Sequence, residues 1–255
     1  MTTVPPLWRE SRFPAELRAL GRDPVSAGVG VPHVDGDPVL LIPGFLAGDS
    51  SLATMTTWLR RLGYRTNRAG IRANVDCSTK AIERLETRLE DLSWRYGRRV
   101  AVVGQSRGGI FARWLAVRRP DLVSGIVTLG SPLRDQLAIH PLIRLHVGVV
   151  GALGTFGVKG MFRLDCLRGD CCHQLRGQST APVPDEVGFV SIYSRSDGVV
   201  RWESCLDEDA EHVEVDASHC GMSVHPDVYR AIGTALGAFR EDAVAAPDAP
   251  VVLAA

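Results

Sequence analysis

The chain has 255 residues, with 29 basic and 29 acidic side chains and a formal net charge of zero. That balance removes the bulk electrostatic signature of a protein that binds nucleic acid or an anionic membrane surface. Hydrophobic residues make up 45% and charged residues 23%, the composition of a soluble globular chain long enough to bury one large core.

The start, "MTTVPPLWRESRFPAELRAL", carries charge throughout and has no apolar run of a secretory signal. Residues 7–20 have the pattern of a short amphipathic helix, with Leu7, Leu17 and Leu20 among charges. Gly and Pro then punctuate "GRDPVSAGVGVPHVDGDP", a connector. "VLLI" at 39–42 is a short apolar run bounded by Pro38 and Pro43-Gly44, suited to a strand buried on both faces. Asp49 or Ser50 is the expected cap of a helix over "SLATMTTWLRRLG", ended by Gly63. "YRTNRAGI" is strand-like. In "STKAIERLETRLEDLSWRYG", Ile82, Leu85, Leu89 and Leu92 recur at helical spacing, with Ser78 as expected cap and Gly97 as stop.

Next come the strand "VAVV", the helix "GGIFARWLAVRR", the strand candidates "LVSGIVTLG", "VGFVSIY" and "HVEV", and the helix "PDVYRAIGTALGAFR". Short apolar strands alternating with helices predict an α/β fold with a parallel sheet covered on both faces. Residues 133–185 break the rhythm and are expected to form a cap or lid insertion. The core is then 37–132 and 186–240, preceded by an N-terminal helix and connector over 1–36. The tail 241–255 is expected to be disordered. No stretch reaches about 18 uninterrupted apolar residues; "PLIRLHVGVVGALGTFGV" is broken by Arg144, His146 and glycines. A cytoplasmic location is the expectation. "CLRGDCCH", with Cys166, Cys171, Cys172 and His173, lacks the paired spacing of a structural zinc site, so neither metal nor cofactor is expected.

The chemistry centres on "VAVVGQSRGG". Ser106 lies between Gly104 and Gly108, after a strand and before a helix, the order a nucleophile elbow requires. A serine there adopts a strained backbone so that its hydroxyl projects, and its neighbours must lack bulk. It also occupies a helix N-terminus, where N–H groups face developing negative charge. A serine hydroxyl needs a base to take its proton. Asp197 follows the "VGFVSIY" strand and His219 follows "HVEV", in the order Ser, Asp, His that such a sheet requires. His225 is placed to cap the last helix, and Asp216 is too close in sequence to His219 to be its partner. His33, His140, His146, His173 and His212 are expected on the surface or the lid, and Cys220 as a small buried residue.

Five segments, "LIPGF", "VGQSRGG", "IVTLGSP", "SIYSRSDGVV" and "SHCGM", resemble in order and spacing the α/β-hydrolase superfamily of the bacterial lipase and esterase type, over roughly residues 37–240. The resemblance implies the α/β-hydrolase fold and an esterase or lipase without cofactor, acting on a small-molecule acyl ester or lipid through an acyl-enzyme. It implies Ser106 as nucleophile, His219 as base and Asp197 as the acid that orients it. The N–H groups of Arg107 and Phe45 are the implied oxyanion hole. Gln105 stands where many lipases have histidine, and Pro43-Gly44 where many have His-Gly, which bears on the oxyanion loop. The Arg107 side chain is expected in a salt bridge on the helix's first turn, the alternative being a substrate carboxylate or phosphate. A thioesterase or acyltransferase with the same triad, and an idle fold binding an apolar ligand, are the competing functions.

Overall fold

The computed structural model describes residues 4–168 and 181–240. Among these, six strands form one sheet: β1 (Pro38–Ile42), β2 (Arg65–Arg68), β3 (Val100–Gln105), β4 (Val123–Leu129), β5 (Gly188–Tyr193) and β6 (Glu211–Glu214), in the order β2-β1-β3-β4-β5-β6. Every neighbouring pair is parallel. Helices α1 (Phe13–Arg22), α2 (Ala53–Arg61), α3 (Ser78–Tyr96), α4 (Arg107–Arg118), α5 (Pro141–Thr155), α6 (Leu164–Arg168) and α7 (Pro226–Ala238) complete the described fold. The segment "CLRGDCCH", including Cys171, Cys172 and His173, falls partly, and the tail wholly, outside the described residues.

Successive strand residues face opposite sides of a sheet, and here both sides are dry. Val39, Leu41, Ala101, Val103, Val127 and Leu129 join Met55, Trp58 and Leu59 of α2 and Tyr229, Ile232 and Leu236 of α7 in one core. Leu40, Ile42, Val100, Val102 and Ile126 join Ile82, Leu85, Leu89 and Leu92 of α3 and Phe111, Trp114 and Leu115 of α4 in the other. That is why these strands are uniformly apolar rather than alternating.

Two expected caps are corrected. α2 begins after a 3-10 turn over Asp49–Leu52 with no side-chain cap; Asp49 instead accepts the Gly70 N–H at 3.0 Å. Cys77 rather than Ser78 occupies the N-cap of α3, without a side-chain cap bond. The Ser78 hydroxyl is engaged by Arg107 at 3.1 Å. Gly97 ends α3 in the left-handed conformation, and His225 caps α7 by accepting the Asp227 N–H, both as expected.

The sheet order reverses direction between β1 and β3. Loops leaving the carboxyl ends of these two strands diverge, and a crevice opens between them. Phe45 follows β1 and Ser106 follows β3, so the topology alone sets the two on either side of that crevice. At the opposite end of the sheet, Gly125 of β4 and Gly188 of β5 are register partners. Their absent side chains make a slot for Phe239 at the end of α7. A Cβ on either glycine would lie 2.4 Å or 2.3 Å from the ring.

Phe239→Ala should therefore empty a two-strand slot and cost about 3–5 kcal/mol, read by urea unfolding at equilibrium. A loss under about 1 kcal/mol would show that the ring is not what docks α7 on β4 and β5.

Candidate active site

Ser106 has φ 52° and ψ −119°. A non-glycine residue at positive φ is held there only when its surroundings over-determine it, and the surroundings here are backbone. A Cβ on Gly104 would lie 2.4 Å from the Gly108 carbonyl oxygen, and one on Gly108 would lie 2.2 Å from that of Ile42. Gly44 is close as well: a Cβ there would make a tight 3.2 Å contact with Ser106 Cβ. The ends of β1 and β3 and the start of α4 thus meet with no room for a methyl group.

Ser106 also donates its N–H to the Leu129 carbonyl at 2.8 Å. Gly130, next in the chain at φ 53°, lies against the Asp197–His219 pair. A Cβ on it would be 3.0 Å from Asp197 Oδ2 and 3.1 Å from His219 Nδ1. His219 Nδ1 and Asp197 Oδ2 are hydrogen-bonded at 2.7 Å. Asp197 Oδ1 accepts the N–H groups of Val199 and Val200, each at 2.7 Å. Both side chains are buried. With Asp197 accepting, Nδ1 carries the proton and Nε2 is left as the basic nitrogen.

Burial is the strongest influence on the His219 imidazole and by itself pushes its pKa down. The charge and hydrogen bond of Asp197, with the Glu10 carboxylate adding to them, outweigh it, and the pKa is raised above 6.5. Asp216 is engaged elsewhere, accepting from Arg12 at 3.0 Å. His33, His140, His146 and His212 each bond backbone close to them in sequence. Cys220 is exposed, not buried as expected. Its thiol is pushed up to about 12, first by loss of water around the sulfur and then by Glu10, which keeps it protonated and a poor nucleophile.

The structure thus brings Asp197 and His219 into direct contact and sets Ser106 at the end of β3, with β4 between it and β5. Ser106 Oγ and His219 are not hydrogen-bonded to each other. The link between their segments is Gln105, buried, whose Nε2 donates to the His219 carbonyl at 3.0 Å. The residue that departs from the lipase pattern ties the elbow to the histidine loop.

Phe45, Arg107 and Ser106 line one cavity of about 140 Å³, whose remaining wall includes Ile110, Ile139, Ile143, Val147 and Phe162. The Arg107 side chain is partly buried along the cavity wall. It donates to the carbonyls of Asn74 (2.6 Å) and Asp76 (2.7 Å) and to Asn74 Oδ1 and Ser78 Oγ, and it stacks 4.9 Å from the Phe111 ring centre. These bonds run to carbonyls of the loop before α3 and to the hydroxyl of its first residue, whereas the expected partner is a carboxylate on the helix's first turn.

Asn74, which the sequence did not mark, completes this network. Its Nδ2 donates to the Pro43 carbonyl at 2.7 Å. It joins the loop after β1 to the first residue of α4. Leu46, Asn74 and Ser106 are the non-glycine residues at positive φ among those described, and Ser106 lines the cavity. Among the described residues no group of His, Cys, Asp and Glu is arranged to hold a metal ion, and no helix is long and apolar enough to cross a membrane.

No family model and no curated protein sequence matches the chain. Solved structures do. The chain is similar to the mature form of the Bacillus licheniformis lipase BlEst2, with TM-score 0.58 and 16% identity, covering 81% of this chain and 95% of that one. It is similar to a metagenome-derived lipolytic enzyme of the LipS and LipT pair, with TM-score 0.53 and 16% identity, over 83% and 95% of the two chains. It is also similar to polyneuridine aldehyde esterase, with TM-score 0.51 and 13% identity, over 78% and 98%. The chain has the α/β-hydrolase fold.

The His219 imidazole should titrate above 6.5, and Asp197→Asn should bring its pKa down by removing the negative partner. A histidine-selective NMR titration of both proteins checks this. An unchanged midpoint in the variant would mean that the pair does not act on the ring.

Proposed function

We propose that this chain is a serine hydrolase that cleaves carboxylic esters, an esterase or lipase working through an acyl-enzyme without a cofactor. The observation that carries the reading is the Asp197–His219 hydrogen bond, held against Gly130 one residue beyond the carbonyl that fixes Ser106. The ester hydrolases named above share this fold and support the general reaction class.

In this reading Ser106 Oγ attacks the ester carbonyl as its proton passes to His219 Nε2. Asp197 holds the ring in the Nδ1–H tautomer and stabilises the imidazolium. The tetrahedral oxyanion receives hydrogen bonds from the Phe45 and Arg107 N–H groups, the second at the positive end of α4. The imidazolium then returns its proton to the leaving alcohol, and water repeats the sequence on the acyl-enzyme. Losing one such oxyanion donor costs about 2.7–4 kcal/mol of transition-state stabilisation.

The acyl group belongs in the cavity beside Ser106. Ile143 and Val147 of α5 line it, while Leu142, Leu145, Val149 and Leu153 of the same helix are exposed. α5 is apolar on both sides and serves as an apolar cover over the site. About 140 Å³ is near the volume of an engineered cavity of about 150 Å³ that accepts benzene, which suits a short acyl chain.

Ser106→Ala should abolish both hydrolysis of p-nitrophenyl esters and labelling by a fluorophosphonate, with circular dichroism unchanged. Hydrolysis at the wild-type rate would end the assignment. Because the base must be neutral to accept a proton and its pKa is raised, kcat/KM should fall as pH drops, through an acid limb above 6.5; a flat profile to pH 4 would remove His219 from the role. Extra methylenes forced into a filled cavity cost about 1–3 kcal/mol. A butyrate ester should accordingly exceed a palmitate ester in kcat/KM by roughly tenfold or more. Equal values would show that the cap opens to admit long chains.

A further inference from the structure

The segment before the sheet, expected from sequence to be only a helix and a connector, supplies three side chains to the loops that hold Asp197 and His219. It comprises a 3-10 turn over Leu7–Arg12 followed by α1. Glu10 is half-buried. Its Oε1 accepts the N–H of Gly198 at 3.0 Å and of His219 at 2.9 Å, and its Oε2 accepts the N–H of Cys220 at 2.8 Å. One oxygen therefore joins the residue after Asp197 to His219 itself, across two loops separated in sequence by β6.

Glu16, buried, does the same for the preceding residue, accepting the Ser218 N–H at 2.7 Å and its hydroxyl at 2.6 Å. Arg12 lies between them, donating to the Asp216 carboxylate and carbonyl. Gly198 is fitted to this arrangement: a Cβ there would lie 2.8 Å from Glu10 Oε1 and 2.8 Å from the Pro6 carbonyl.

We propose that Glu10 is a positioning residue for the hydrolytic site, clasping the Asp197 and His219 loops together and holding a second negative charge beside the imidazole. The inference rests on the assignment of His219 as base. The β5–β6 ladder pairs the two loops only at their starts, ending at Tyr193 and Glu214, four residues before Asp197 and five before His219. A carboxylate with three N–H donors fixes their spacing beyond the ladder, since charge-assisted bonds are about twice as strong as neutral ones.

The charge also has an electrical role. The charged and titratable groups near the His219 loop are Asp197 after β5, Glu10, Glu16, Arg12 and Asp216, with Cys220 on the loop itself and held protonated. Arg12 is taken up by Glu16 and Asp216. Asp197 and Glu10 are the charges that act on the ring, and both favour its protonated form.

Glu10→Gln separates positioning from mere packing. The amide keeps the shape but removes the charge, and its NH₂ must face a backbone N–H. At the alkaline plateau, kcat for p-nitrophenyl butyrate should fall about tenfold, or 1.36 kcal/mol, with KM unchanged. The acid limb and the NMR titration of His219 should both move to lower pH, so the variant loses proportionally less activity in acid. Gly198→Ala, which presses on the carboxylate but leaves its charge in the chain, should lower kcat without altering KM. A plateau that falls while the His219 titration stays in place would reduce Glu10 to a structural tie and overturn the proposal, as would wild-type kcat in both variants. The titration does not depend on turnover. Wild-type protein that neither reacts with fluorophosphonate nor cleaves esters would instead sink the serine reading beneath it.

Discussion

The close approach of three backbones at Ser106 governs the geometry of the site. A parallel sheet delivers strands to one edge but does not aim any side chain out of the turn that follows. Here β3 reverses into α4 so tightly that the Gly108 Cα position lies under the Ile42 carbonyl and the Gly104 Cα position under that of Gly108. A side chain at Gly108 would push α4 away from β1, and one at Gly104 would push it away from the end of β3. The strain at Ser106 is sustained by the two buried cores that press α3 and α4 onto one face and α2 and α7 onto the other.

Once the turn is set, the remaining problem is to bring in groups from far along the chain without leaving polar atoms unsatisfied. The solution is repeated: a side chain from one loop caps the backbone of another. Asn74 spans from Pro43 to Arg107, Gln105 reaches the His219 carbonyl, Asp197 takes two N–H groups as well as the ring, and Glu10 takes three. Asn74, Gln105 and Asp197 are buried, and Glu10 is half-buried. A missing partner would therefore cost about 1–3 kcal/mol apiece, and the loops stay closed together for that reason.

Two kinds of information differ in how readily the sequence yields them. Local patterns were plain: four apolar residues between prolines predict β1, leucines at helical spacing predict α3, and strand, glycine-flanked serine and helix predict the elbow, because each depends on neighbours a few residues away. The fold followed from the alternation of those elements. Asp197 and His219 were marked because each trails a strand. Glu10 and Asn74 were not, since a carboxylate in an amphipathic stretch and an asparagine in a loop look the same whether they face solvent or bridge two segments. Glu10 meets His219 across 209 positions, and no periodicity encodes such a pairing. The caps at Asp49 and Ser78 failed for a related reason: a better partner, the Gly70 N–H or Arg107, lay elsewhere in the fold.

The distribution of charge explains why the N-terminal segment is bound into this region at all. In the proposed reaction the buried imidazole gains a proton and loses it again, and desolvation disfavours its cation. One carboxylate in direct contact offsets that cost, but it also draws the ring toward itself, and only the ring's far nitrogen is useful. A second carboxylate bonded to the main chain of the same histidine contributes charge without competing for either ring nitrogen. Its donors are backbone N–H groups, and the nearby Arg12 directs its hydrogen bonds to Asp216. Glu10 meets that requirement from outside the sheet. The N-terminal segment is thereby coupled to the same equilibrium as Asp197, although the chain between them contains the whole of the serine elbow.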